Sequence, residues 1–129
     1  MKNRVARVVV ASLLVIGIGA CSAASTGVGP TIGLKTAPAA AQICEDALLG
    51  GQLTANNQTG LGVKSADGQA TPVEWPFGYS ARSEVGGAAL LDPAGKVVAR
   101  EGDEITVGGG FGNQLWHACG GVTVARPAS

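Results

Sequence analysis

The stretch Leu91-Asp92-Pro93-Ala94-Gly95-Lys96-Val97-Val98-Ala99 decides the fold. Proline in second place fixes φ for a reverse turn, glycine after it is free to take a positive φ, and aspartate ahead of both can bond the turn's own backbone. The turn separates two short apolar runs, Ala88–Leu91 and Lys96–Arg100. The same grammar recurs on both sides. Ser65-Ala66-Asp67-Gly68 lies between Leu61–Lys64 and Ala70–Glu74, and Glu101-Gly102-Asp103 precedes Glu104–Val107. A last β-branched run covers Gly121–Ala125. Short runs separated by turns every 8 to 12 residues or so predict an all-β domain, a small barrel or sandwich. Cys44–Leu49 offers the one helical window and is too short to make a helix of consequence. Gly108-Gly109-Gly110-Phe111-Gly112 reads as a loop joining strands; no Lys-Ser/Thr pair and no helix pattern follow it, so phosphate-loop and dinucleotide readings lack their context.

A chain of 129 residues holds one small domain. With 21 glycines and two Trp, one Tyr and two Phe, it is turn-rich and short of large core side chains. Charged residues make up 14% and cancel to a formal net charge of zero, which speaks against nucleic acid as a partner, since that calls for a basic face. Glu101, Asp103 and Glu104 cluster without EF-hand spacing and read as a solvated acidic turn; no metal and no cofactor is expected.

The first 21 residues follow a different rule. Lys2, Arg4 and Arg7 precede an uncharged run from Val8 to Ala20, a positive region followed by an apolar one, as in a secretory signal. At about 13 residues the run is shorter than the roughly 20 that a spanning helix needs. Ile18-Gly19-Ala20-Cys21 follows at once and resembles the lipobox of bacterial lipoproteins: an aliphatic residue, two small ones, then cysteine. That resemblance implies cleavage before Cys21 and long acyl chains of the palmitate class on it. A second acyl chain then makes anchoring stable. The expected location is the extracytoplasmic side of the cell membrane. Removing residues 1–20 takes three of the nine basic residues, leaving six against nine acidic. Residues 21–42, rich in Ala, Gly, Ser and Pro, read as the lipidated cysteine and a flexible tether, with the folded domain at 43–129.

Within that domain, Trp75-Pro76-Phe77-Gly78, Leu91–Ala99 and Gly102-Asp103-Glu104-Ile105-Thr106-Val107-Gly108-Gly109-Gly110 together resemble a group of small secreted lipoprotein domains of high-GC bacteria. These pair a W-P-x-G segment with a later G-D-x-[IV] strand ending in a glycine triplet. The resemblance covers roughly residues 44 to 125 and implies a small OB-like β-barrel; it implies no activity.

Cys44 and Cys119 stand at the two ends of the domain, and outside the cytoplasm such a pair is expected to oxidise. The rival reading, a redox or metal pair with His117, lacks further His or Cys to complete a ligand set. His117 is the lone histidine, and no nucleophile or orienting carboxylate is singled out beside it, so no catalytic residue is assigned and an enzyme is not expected. Trp75, Phe77 and Tyr79 fall within five residues and have two readings, an exposed aromatic platform or part of the core; any binding surface is expected on this loop and not at His117. The expected role is a non-enzymatic binding module, with an envelope protein or a glycan as ligand and the membrane as partner through the lipid. The alternatives are a structural or accessory envelope lipoprotein, or an envelope hydrolase needing a carboxylate and a hydroxyl nucleophile beside His117.

Overall fold

A computed structural model describes residues 29–129; the leader and Cys21 lie outside the described residues. Nine strands make up the domain: β1 (Thr31–Ile32), β2 (Ala47–Asn56), β3 (Gly60–Lys64), β4 (Ala70–Glu74), β5 (Ser80–Glu84), β6 (Gly87–Leu91), β7 (Val97–Arg100), β8 (Glu104–Gly112) and β9 (Leu115–Arg126). Among the described residues there is no helix. The all-β expectation holds.

Five strands, in the order β2-β3-β4-β9-β8, form a ring that closes through pairing of β8 with β2. All its pairings are antiparallel except β4 with β9, which is parallel and extends over two residue pairs, Val73↔Trp116 and Glu74↔His117. The other four strands form a sheet of order β1-β5-β6-β7, inserted in the chain between β4 and β8 apart from β1. One core serves both. Leu53, Leu61, Val63, Val73, Trp75, Ile105, Val107 and Trp116 from the ring side meet Ala81, Ala88, Leu90 and Ala99 from the small sheet. Trp75 is the largest wholly buried side chain, and its indole Nε1–H donates to the Leu61 carbonyl at 2.9 Å, so its polar atom is satisfied where its area is buried.

The expected turns are present and their chemistry is visible. The Asp92 carboxylate accepts from the Ala94 and Lys96 amides while Gly95, at φ 82°, closes the turn by donating to the Asp92 carbonyl. Asp103 is not a solvated acid: its two carboxylate oxygens accept from the Arg100 and Ala128 amides, and Glu101 accepts from the Ala88 amide. The acidic turn therefore splices backbone together and has little capacity left for a cation. No metal-competent cluster occurs among the described residues.

Three further expectations need correction. Cys44–Leu49 contributes no helix; β2 starts at Ala47 and is ten residues long because it pairs with β8 through its first half and with β3 through its second. Gly108–Gly112 is no connecting loop but the end of β8. Glycine is required there by close approach: a Cβ on Gly108 would lie 3.2 Å from the Gly120 Cα, and one on Gly109 would collide with the His117 carbonyl. Last, among the described residues the hydrogen-bonded chain already includes Pro30, well before Ile43. Thr31 and Ile32 pair with β5, the Pro30 carbonyl accepts from Ser83, and Lys35 and Ala37 bond the backbones of Thr59 and Trp75. The β5 edge and the Trp75 backbone need partners, and this strap supplies them.

Cys44 and Cys119 are disulfide-bonded, at a sequence separation of 75. Cross-linking a loop of that length removes denatured-state entropy worth on the order of 4 kcal/mol in the chain-entropy model. Trp75→Ala should cost about 3–5 kcal/mol of unfolding free energy, the usual range for emptying a large aromatic site. Urea denaturation checks this, and a loss below about 1 kcal/mol would remove Trp75 from its central role.

Candidate binding site

Alternation along two strands builds the site. On β4, Val73 and then Trp75 beyond its end point into the core, so Glu74 between them points out. On β9, Trp116 and Ala118 point in, so His117 points out. The parallel register places Glu74 beside His117, and the two side chains meet with Nδ1 and Oε1 3.1 Å apart. The other Glu74 oxygen lies 3.6 Å from the Lys35 ammonium, delivered by the strap. The Glu74 side chain is only 18% exposed, and His117 and Lys35 about twice that or more, at 40% and 44%. The carboxylate is thus the shielded centre of the trio, and the two basic groups form its solvent-facing cover.

The imidazole has no nitrogen to spare. Its Nε2–H donates to the Gly112 carbonyl at 2.9 Å, so that nitrogen carries the hydrogen. Nδ1 then faces a Glu74 carboxylate oxygen at 3.1 Å. Glu74 is the orienting carboxylate that the sequence left unassigned, but a hydroxyl nucleophile has no place opposite it. The carbonyl of Gly112 takes the position where a serine or threonine oxygen would have to stand.

Glu74 and His117 of this trio line a cleft of about 310 Å³, along with Ile43, Glu45 and Phe111. Ile43 is 88% exposed and Phe111 66% exposed, so two large apolar side chains stand at a polar floor without covering it. The floor lies against the disulfide, since Cys119 also lines the cleft. The β8–β9 connection beside it is a two-residue hairpin turn, Asn113-Gln114, with both residues at positive φ (50° and 63°). Such turns favour Asn followed by Gly. Gln114 in the second place carries the cost of a side chain in the left-handed region, about 1–2 kcal/mol.

The aromatic loop of the sequence does not form one face. Trp75 is in the core, Phe77 is 53% exposed, and Tyr79 is half-buried and packed against the core. Gly78, at φ 84°, turns the chain between Phe77 and Tyr79 and ends the alternation that would have aligned the three rings. The expectation of a shared platform therefore fails for Trp75, and the polar group brought together with exposed apolar surface is the one around His117. Glu74 and Lys35 were missed by sequence reasoning. The signal for Glu74 was available: a carboxylate flanked by two core residues on a strand must face outward. That it would face His117 was not readable, because the pairing is parallel and joins residues 43 apart.

No family model, curated protein or solved structure matches this chain.

Tyr79 provides a reporter of the loop. Its phenol is held above the usual tyrosine value by burial first, then by the nearby Asp92 carboxylate. A raised folded-state value means that the stability linked to this group is present below about pH 10 and is lost as pH rises beyond it through the folded value. The chain holds one tyrosine, so tyrosinate absorbance reads it alone. The titration midpoint should lie above that of free tyrosine, and Asp92→Asn, which keeps the turn acceptor, should bring it part of the way down. A midpoint at or below the free value in the folded protein would contradict this environment.

Proposed function

We propose that the chain is a lipid-anchored protein of the cell envelope whose domain is an OB-type β-barrel working as a non-enzymatic binding module, with the cleft beside His117 as its ligand contact and a glycan as its ligand class. Support for the barrel type comes from topology. Counted in chain order, the five ring strands neighbour one another as first, second, third, fifth, fourth and back to first, with third and fifth parallel. Barrels of this type bind oligosaccharides and oligonucleotides over the face of the second and third strands, between the first–second and fourth–fifth loops. Here the fourth–fifth loop is Asn113-Gln114, next to the cleft. The absence of a basic surplus in the composition disfavours the nucleic-acid option.

The observation that carries the binding role is the combination at the cleft. Exposed Phe111 and Ile43 offer apolar contact, and Glu45 and Glu74 offer carboxylate acceptors on the same lining. A sugar ring has both complements, an apolar face for the aromatic ring and hydroxyl donors for the acids. The mutual bonding of Glu74, His117 and Lys35 holds the acceptors in place before a ligand arrives, which lowers the ordering cost of binding. Lipid on Cys21 is supported by the charged start, the short apolar run and the Ile18-Gly19-Ala20-Cys21 sequence.

Two measurements test the reading. Uncharged envelope oligosaccharides titrated into the full-length protein should shift NMR signals of residues around the cleft, and Phe111→Ala should weaken that binding about tenfold or more while leaving the melting temperature nearly unchanged, since the ring is mostly in solvent. No shift with the wild type, together with capture of an envelope protein through the same face, would replace the glycan by a protein ligand. Metabolic labelling with an acyl-chain analogue should mark the wild type and not Cys21→Ser; equal labelling of the two would end the anchor.

A further inference from the structure

The geometry points to a fixed orientation at the membrane: the tip of the β5–β6 hairpin, Val85-Gly86, lies against the lipid headgroups. This rests on the proposed lipid anchor at Cys21 and goes beyond it, because an anchor alone does not say which side of the domain faces the bilayer.

The argument is one of chain length. Among the described residues the first backbone hydrogen bond is at Pro30, whose carbonyl accepts from the Ser83 amide at 2.8 Å. Gly29 is pressed so close to the Ser83 carbonyl that a Cβ on it would collide with that oxygen. Nine Cα–Cα steps separate Cys21 from Pro30, and they span at most about 30 Å whatever path they take. A free chain of that length has a mean end-to-end distance of about 16 Å. A domain of about 100 residues is some 34 Å across. To present its far side to the bilayer, the chain would have to travel around the whole domain, and it is too short. The tether therefore keeps the side from which it emerges nearest the lipid.

That side is the hairpin tip. Pro30 sits beside Ser83 on the neighbouring strand, two residues before Val85, so the exit point and the tip are within about 10 Å of one another. Val85 is fully exposed, the most exposed large apolar side chain among the described residues. It stands at a turn, where an apolar side chain gains nothing from the core. The charged groups around it are balanced. Glu84 pairs with Arg82 at 3.4 Å and with Arg100 at 3.5 Å, and Glu101 turns inward to the Ala88 amide. No surplus acid repels an anionic headgroup, and no free basic cluster demands one, so the contact is apolar and steric. The occupant is a phospholipid surface.

Full-length, lipidated protein with its disulfide intact allows a direct test. An environment-sensitive fluorophore is placed on a single added cysteine, at Val85→Cys or at Ala94→Cys. Ala94 is exposed on the β6–β7 turn at the opposite end of the same small sheet, about 17 Å further along the strands. Each protein is bound to phosphatidylethanolamine–phosphatidylglycerol vesicles carrying a quencher at headgroup depth. Quenching should be several-fold greater at Val85 than at Ala94. Inserting about twenty Gly/Ser residues after Ser22 should abolish the difference, because the tether then exceeds the domain's diameter. Equal quenching at the two positions in the protein of native tether length overturns the orientation while leaving the anchor standing. If the lipidated preparation fails to float with the vesicles, the anchor falls, and the orientation with it.

Discussion

The ring depends on its shortest seam. β4 and β9 meet in parallel over Val73↔Trp116 and Glu74↔His117 and nowhere else, yet this contact closes five strands on themselves. Parallel pairing is slightly weaker per residue than antiparallel, and two pairs are few. The seam is therefore reinforced on both faces. Inside, Val73, Trp75 and Trp116 bring the ring's two indoles into the core beside it. Outside, Glu74 and His117 bond to each other, Lys35 pairs with Glu74, and the Gly112 carbonyl holds the imidazole from its far side. At the end of β4 the strap continues the pairing, with Trp75 donating to the Lys35 carbonyl and accepting from Ala37. The polar trio thus adds to the seam on its outer face, and its mutual bonding holds Glu74 and His117 in place at the cleft.

Glycine makes the narrow parts possible. A chain with few large side chains cannot fill a wide interior, so its strands must approach closely. At the β8–β9 crossing Gly108 faces Gly120 so closely that a Cβ on either would lie 3.2 or 3.0 Å from the other's Cα, tighter than ordinary contact. The register slips between Val107 and Gly109 in the same place. This close crossing carries β9 past β8 so that Cys119 meets Cys44 with their Cα atoms 5.5 Å apart. The disulfide then ties the entry of β2 to β9, across the ring from the seam in sequence but against the same cleft.

Much of the fold was legible because turns are local. Asp92–Gly95, Ser65–Gly68 and Glu101–Asp103 each specify their geometry within four residues, and the strands between them fall near where those turns put them. β5 was not legible, since Ser80-Ala81-Arg82-Ser83-Glu84 has one apolar residue, Ala81, to mark an inward face. The glycine-rich half of β8 misled for the opposite reason: glycine in quantity signals a loop locally, and only the strand laid against it shows why side chains are forbidden. The cysteine pairing followed from counting. The cleft did not, because its members come from the strap, from β4 and from β9, and no spacing in sequence brings them together.

The strap shows how composition and pairing can point in opposite directions. Pro, Gly, Ala and Thr dominate the region from residue 29 to 42, and that bias reads as tether. Yet Thr31 to Thr36 alternates, with Ile32 and Leu34 turned to the core and Thr31, Gly33 and Lys35 turned outward. Two apolar side chains are a weak pattern on their own. What fixes the segment is unmet demand in the rest of the molecule: β5 is the edge of a small sheet whose backbone groups face an opening, and Trp75 leaves the ring with its amide and carbonyl unpaired. An extended segment with any tolerable side chains can answer that demand. Gly60 even withholds a Cβ so that the strap's Gly33 carbonyl can pass. Recruitment by backbone need leaves little trace in the recruited sequence, and it makes one short segment the link between the chain's exit beside Ser83 and the Lys35–Glu74–His117 cluster at the cleft.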